Sequence, residues 1–222
     1  MTQGLHAVRK KKSNDESRVE LRTVTLSNVL IVAGPAASGK TTFATQLASR
    51  LSYSLFDLDQ VTGPLVKQCL ALLGQPDHAL DEDLGQALRP ARYESLLSAA
   101  TANVVLGRDV VIAAPFSRET RSQDSWRDMV ARWSPPFAND RVDGVRTELV
   151  FVECPAPLLR ERLAHRGEPR DLLKIKTGVD LSTPFPRVNF HPVDGTADAE
   201  HEVERLLAEL DLESVAAGPA GS

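Results

Sequence analysis

The residues best suited to chemistry lie in one stretch, Gly34-Pro35-Ala36-Ala37-Ser38-Gly39-Lys40-Thr41-Thr42. A glycine, four residues, then Gly-Lys-Thr fits the phosphate-binding pattern G-x-x-x-x-G-K-[ST] in full. Glycine at 34 and 39 lets the main chain curl without Cβ clashes, so successive N–H groups turn inward and form an anion nest at the start of a helix. The positive end of the helix dipole faces the same point. Lys40 can reach between β- and γ-phosphates, and the Thr41 hydroxyl is placed to ligate magnesium. Gly34, Ala36, Ala37, Ser38, Gly39, Lys40, Thr41 and Thr42 are thus the expected nucleotide-binding residues, with ATP or GTP as ligand. Two further groups concentrate charge: Asp57 and Asp59, which close a short apolar run, and Arg160, Arg162 and Arg166, within one short helix.

These groups need a frame. Val29–Ala33 is continuously apolar, as a central parallel strand covered on both faces requires, and Thr41–Leu51 repeats Phe43, Ala44, Leu47, Ala48 and Leu51 at helical spacing. Ser54–Asp59 reads as a short strand ending in carboxylates, which puts Asp57 and Asp59 on one face of it. Gln60–Leu73 is then a helix closed by Gly74. Asp81–Leu88 precedes a longer helix over Pro90–Leu106, and Val110–Ala114 is a second fully apolar strand. Glu119–Trp133 is expected to be helical up to Pro135-Pro136, and Glu148–Val152 is another buried strand. The arginine-rich helix spans Pro157–Arg166, and Gly167–Arg187 reads as a mobile excursion. Arg187–Val193 supplies a fifth strand, and Ala197–Leu210 is the last amphipathic helix. Val19–Thr25 alternates like an edge strand or extended arm. The alternation predicts an α/β fold, a three-layer αβα sandwich around a five-stranded parallel sheet. Ligands of such sheets gather at the strands' carboxyl ends, here Gly34, Asp57 with Asp59, Pro115–Arg118 and Cys154.

At 222 residues the chain most simply makes one domain, expected over residues 19–212, between disordered tails at 1–18 and 213–222. Hydrophobic residues make up 42% and charged ones 25%, as in globular proteins. A net charge of −4 and a pI near 5.8 argue against a nucleic-acid or anionic-membrane partner. Cys69 and Cys154 form no C-x-x-C pair, and His6, His78, His165, His191 and His201 are scattered, so neither a disulfide framework nor a zinc site is indicated. A cytoplasmic location is the expectation. The basic run Arg9-Lys10-Lys11-Lys12 has no apolar core after it, unlike a secretory signal, and no run approaches the ~18 apolar residues of a membrane span.

From Val29 to Leu210 the sequence resembles the small P-loop kinases, a group that includes chloramphenicol phosphotransferase, the zeta-toxin kinases, gluconate kinase and the kinase domain of phage polynucleotide kinase. Besides the P-loop, the resemblance rests on Phe56-Asp57-Leu58-Asp59, on Tyr93, and on Leu106-Gly107-Arg108-Asp109-Val110-Val111-Ile112 leading into Pro115-Phe116. It continues in Val152-Glu153-Cys154-Pro155, in Arg160-Glu161-Arg162-Leu163-Ala164-His165-Arg166-Gly167, and in His191-Pro192-Val193-Asp194-Gly195. It implies transfer of the γ-phosphoryl of ATP to the hydroxyl of a small molecule, a metabolite or an antibiotic, with Mg2+. Such a loose, anionic transition state needs positioning, cations on the equatorial oxygens and a carboxylate for the acceptor's proton. By its place at the end of the second strand, Asp59 matches the relatives' catalytic carboxylate and is the expected general base. Asp57 is the second choice, or a water-mediated magnesium ligand beside Thr41. One of the two can instead cap the helix that follows. Pro157–Arg166 looks like the arginine-rich lid of these kinases, which would span about 157–187. Arg162 and Arg166, four apart on one helix face, would clamp the β- and γ-phosphates, with Arg170, Lys174 and Lys176 following.

Arg118 and Arg121 are candidates to hold an anionic substrate group or the nucleotide. Arg92 and Tyr93 are candidates to line the acceptor pocket, although Tyr93 has apolar neighbours at helical spacing and reads as core. The chain departs from many relatives at one point: the strand that often ends in an aspartate ends here in Ala113-Ala114-Pro115, and Asp109 is at the other end of it. Two alternatives stand beside a small-molecule kinase. A 5′-hydroxyl polynucleotide kinase is favoured by the Arg166-Gly167 pattern and disfavoured by the low pI and few stacking aromatics. An ATP-binding regulatory module with weak turnover is favoured by the missing strand-end aspartate.

Overall fold

The computed structural model describes residues 27–76, 83–133, 144–168, 171–172, 175–176 and 184–212. The predicted arm at Val19–Thr25 and both tails lie outside them.

Five strands, β1 (Ser27–Ala33), β2 (Ser54–Asp57), β3 (Val110–Ala113), β4 (Val145–Glu153) and β5 (His191–Asp194), form one sheet in the order β2-β3-β1-β4-β5. Every pairing is parallel. The sequence predicts this α/β sandwich, and the reason is visible in β1. Val29, Ile31 and Ala33 enter one apolar cluster while Leu30 and Val32 enter another, so the strand is covered on both sides. Around the sheet lie helices α1 (Lys40–Leu51), α2 (Leu58–Leu72), α3 (Asp83–Val104), α4 (Gln123–Val130), α5 (Ala156–Arg166) and α6 (Ala199–Leu210). Leu47 of α1 and Leu206 of α6 pack on one face of the sheet; Leu96 of α3 and Met129 of α4 pack on the other. Leu159 and Leu163 of α5 instead pack on Ala37, over the sheet's carboxyl edge.

Several boundaries differ from the sequence reading, each for a local reason. β2 stops at Asp57, whose carboxylate accepts from the N–H groups of Asp59 and Gln60 and caps α2, so Asp59 sits in the first helical turn. The two acids therefore do not share a strand face. The helix expected to begin at Pro90 instead starts at Asp83 and runs through the proline: Leu84 and Leu88, before it, pack on Val66 and Leu70 of α2 and outweigh the one hydrogen bond that proline removes. The helix expected from Glu119 begins only at Gln123, where the Ser122 hydroxyl accepts from the Ser125 N–H, and it ends in a 3₁₀ turn, Ala131–Trp133. β4 extends back to Val145, and β5 covers His191–Asp194 rather than 187–193. Asp198 caps α6, which therefore starts at Ala199. The expected excursion after α5 contains a buried residue, Asp171, and the Arg187 N–H is tied to the Thr120 carbonyl at 2.8 Å.

Candidate active site

Gly34 turns the chain out of β1 with φ near 144°, and a Cβ there would lie 2.6 Å from the Val152 carbonyl oxygen, so the loop passes against β4 as only glycine allows. The loop then feeds α1 through Gly39, its N-cap. The Lys40 ammonium donates to the Pro35 carbonyl at 3.0 Å and closes the loop on itself. The Thr41 hydroxyl donates to Asp57 Oδ2 at 3.1 Å. That bond uses the hydroxyl proton and leaves the oxygen's lone pairs available to a cation. A glycine-bounded loop at a helix N-terminus, a lysine folded over it and a hydroxyl already backed by a carboxylate fit a magnesium-bound phosphate chain. Among the described residues no group of three or more His, Cys, Asp or Glu is placed to hold a bare metal ion, so such a cation relies on phosphate oxygens and water.

A cavity of about 240 Å3 lies on this loop, lined by Lys40, Thr41, Asp57, Asp59, Arg166 and Asp171 among others. Asp57 is buried, at the floor; Asp59 is at the mouth, its side chain 65% exposed. Arg92 of α3 fixes Asp59, its Nη2 donating to Oδ1 at 2.6 Å while its Nε donates to the Thr62 hydroxyl at 2.9 Å. The second Asp59 oxygen has no partner among the described residues. The β3 wall of the cavity is Ala113, Ala114 and Pro115, which carry no side-chain oxygen. Asp109 acts elsewhere: its Oδ1 accepts from the Asn28 N–H at 2.6 Å, tying the amino ends of β1 and β3 together.

A second cavity, about 820 Å3, opens on the other side of the loop between α1, α5 and α6, with Thr42, Gln46, His165 and Asp198 in its lining. Arg166 is the one arginine that lines both cavities, and it makes no hydrogen bond or ion pair with another described residue. Arg162 is placed differently from the paired clamp expected of it. Its guanidinium donates to the carbonyls of Ala37 (3.3 Å), Ser38 (3.2 Å) and Gly195 (2.8 Å), and reaches Cys154 Sγ at 3.7 Å. It therefore ties α5, the P-loop, the end of β4 and the turn after β5 together. Burial pushes the Cys154 thiol up, against the pull of Arg162, which leaves it a neutral thiol near pH 7.

Gly195 is a site residue to which sequence reasoning assigned no role. A Cβ there would fall on the Ser38 carbonyl oxygen and lie 2.7 Å from that of Glu153, so the turn after β5 props the P-loop from behind. The Asp-Gly pair closing the last strand is the signal that could have found it. Tyr93 is core: it packs edge-on against Phe116, 5.6 Å between centroids, and its hydroxyl accepts from the Phe116 N–H at 3.1 Å. Phe116 has φ near 47°, a conformation side chains seldom adopt. Arg89 lies 4.0 Å over the Tyr93 ring and makes a two-pronged pair with Glu119, so α3 holds the β3–α4 loop in place. Arg118 bonds to Gln86, and Arg121 is exposed; neither lines the phosphate cavity.

A family profile described as an AAA domain, AAA_33, matches residues 29–178, more than half of the chain. The chain belongs to that family. In structure it is similar to small P-loop kinases. One is the APS kinase of Mycobacterium tuberculosis in complex with AMPPNP and APS (TM-score 0.57, 16% identical, 84% of this chain and 98% of that one). Others are a sugar kinase from Janibacter (0.53, 20%, 84% and 95%) and a protein provisionally described as a kinase from Chloroflexus aurantiacus (0.59, 18%, 85% and 98%). At these identities the likeness establishes the fold. By sequence, this AAA-domain chain is 34% identical over 173 residues to a tRNA dimethylallyltransferase of Anaeromyxobacter, matching 71% of this chain and 56% of that protein. It thus spans little more than half the length of that relative. Among the described residues no helix is long and apolar enough to cross a membrane.

Proposed function

We propose that this protein is an ATP-dependent kinase that transfers the γ-phosphoryl group to a hydroxyl of a small molecule. The observation that carries this reading is that a single cavity brings together P-loop Lys40, the Thr41–Asp57 pair and the Asp59 carboxylate. Lys40 and the loop amides hold the phosphate chain, and Arg166, free to turn toward either cavity, neutralises the equatorial oxygens. Magnesium, held by Thr41 and, through water, by Asp57, would spread the developing negative charge. The acceptor's oxygen forms the new bond to the γ-phosphorus as the bond to the β–γ bridging oxygen breaks, and the hydroxyl proton passes to Asp59. Arg92 presents that carboxylate in one orientation. In a loose transition state orientation counts for more than basicity, so an ion-paired carboxylate can serve. Arg162 contributes by keeping the P-loop in shape.

A second reading has one observation in its favour, the sequence match to a tRNA dimethylallyltransferase. A P-loop can cradle the diphosphate of a donor other than ATP. The net charge of −4 argues against a tRNA-sized acceptor. The test is ADP release by wild type and Asp59→Asn with Mg2+ and ATP, against pooled sugars, nucleosides, aminoglycoside-like and phenolic antibiotics and a 5′-hydroxyl oligonucleotide. A small-molecule pool that stimulates the wild type alone supports the proposal. Stimulation by the oligonucleotide alone would replace it with a polynucleotide kinase, and no stimulation despite ATP binding would point to a regulatory module.

A further inference from the structure

Thr62 has no part in the chemistry proposed above, yet it meets the arginine that holds the base. It lies about one turn after Asp59 on α2, so the two residues share a face of that helix. Thr62 is buried, 5% exposed, and its hydroxyl donates to the Leu58 carbonyl at 2.7 Å. With its only proton committed there, the oxygen meets any other group as an acceptor. It accepts the Arg92 Nε–H at 2.9 Å. The same guanidinium reaches Asp59 Oδ1 through Nη2 at 2.6 Å, so Arg92, coming from α3, straddles one turn of α2.

Two anchors do what one cannot. A guanidinium bonded through Nη2 alone can still swing about that bond, and a single pair with a carboxylate that is 65% exposed holds weakly. The second bond, to an oxygen that is itself buried and fixed, sets the plane of the guanidinium and with it the direction of the Asp59 carboxylate. We infer that Thr62 is a positioning residue that keeps the general base in line through Arg92. The inference rests on the kinase reading proposed above, in which the orientation of Asp59 counts for more than its basicity. Thr62 does not line the phosphate cavity, so its loss should leave nucleotide affinity as it is.

Thr62→Val keeps the shape of the side chain and removes the acceptor, whereas Thr62→Ser keeps the hydroxyl. In the full chain with Mg2+, transfer from radiolabelled ATP is followed into phosphate esters of the pooled sugars, nucleosides and antibiotics, and a fluorescent ATP analogue, mant-ATP, reports nucleotide affinity. Thr62→Val is expected to lower kcat about tenfold with the KM for ATP and the mant-ATP affinity unchanged, and Thr62→Ser to recover most of the rate. Thr62→Ala is carried alongside in case valine disturbs the helix, and must behave as valine does. Ser95→Ala, which removes a hydroxyl bonded back to a carbonyl in the same way on the exposed side of α3, leaves the rate unchanged. Because the effect passes through the carboxylate, adding Thr62→Val to Asp59→Asn should lower the residual rate no further. If Thr62 merely joins α2 to α3, the double variant loses a further factor, or nucleotide affinity falls together with the rate, and the inference is wrong. A fully active Thr62→Val also overturns it. One readout needs no acceptor: in 15N NMR the Arg92 Nε–H of wild type should be protected from solvent exchange and that of Thr62→Val should not, and equal protection in the two contradicts the inference. Wild type that labels no pool, with the Nε–H protected as expected, would instead remove the kinase reading on which the inference rests.

Discussion

Arg162 and Arg166 occupy the same face of α5 and do different work. The guanidinium of Arg162 bridges three main-chain carbonyls on two loops. Hydrogen bonds from a charged donor contribute more than neutral ones, and their loss leaves half-buried carbonyls unsatisfied. Arg162→Ala should therefore lower stability in urea denaturation by about 2 kcal/mol. Arg162→Lys should recover little, since one ammonium cannot span the same acceptors. Arg166→Ala, by contrast, should leave stability unchanged and lower kcat. Asp59→Asn should keep ATP affinity within about threefold and lower turnover by at least ~100-fold, while Lys40→Ala abolishes both. A fully active Asp59→Asn would show that the base is another group. At this scale the P-loop was legible because its glycine spacing is local and complete. The division of labour between Asp57 and Asp59 was not, because it depends on where β2 stops. Asp57-Leu58-Asp59-Gln60 does contain the cue, an N-cap acid with glutamine three residues on. The role of Arg162 had no cue, since its acceptors on the P-loop and at Gly195 are brought to it only by the fold.

Among the elements, the join between α3 and the β3–α4 loop is the most exposed to test. Burial pushes the Tyr93 hydroxyl up to about 12. In the unfolded chain it titrates near 10, so between pH 10 and 12 the folded protein holds the proton that the unfolded chain has lost. The stabilisation is complete below about pH 10 and disappears as pH rises through about 12, about 3 kcal/mol in all. Urea midpoints measured at pH 9 and pH 11 should fall less for Tyr93→Phe than for wild type. At pH 8 that variant should be less stable by about 1 kcal/mol, the Phe116 N–H having lost its acceptor. The turn after β5 gives a second test. Gly195→Ala should displace the Ser38 carbonyl and weaken mant-ATP binding at least ~10-fold, though the sheet itself still forms; unchanged affinity would mean that the turn does not shape the P-loop. Continuous apolar runs made β1 and β3 plain in the sequence. Pro90 misled, because the cost of a proline is a local quantity while the packing of Leu84 and Leu88 on α2 that overrides it is brought about only by the fold.

For the molecule as a whole, the sheet order sets the chemistry. β1, flanked by β3 and β4, delivers the P-loop to the middle of the carboxyl edge, with the acid-bearing end of β2 on one side and α5 with the β5 turn on the other. On the proposed function, the larger cavity between α1, α5 and α6 would take the nucleotide's base and sugar, and the smaller one the reacting groups. Strand alternation made this architecture readable from the sequence; the acceptor was not readable, because no periodic pattern constrains residue type in the less regular segments between the elements. The central claim is the transfer of a γ-phosphoryl group to a hydroxyl, and [γ-32P]ATP follows it directly. Incubated with Mg2+ and a small-molecule extract, wild-type protein should place label in an alkali-stable phosphate ester, and Asp59→Asn should not. Label that stays in ATP, while dimethylallyl diphosphate releases pyrophosphate in the presence of tRNA, would contradict the account and assign the P-loop to a different donor.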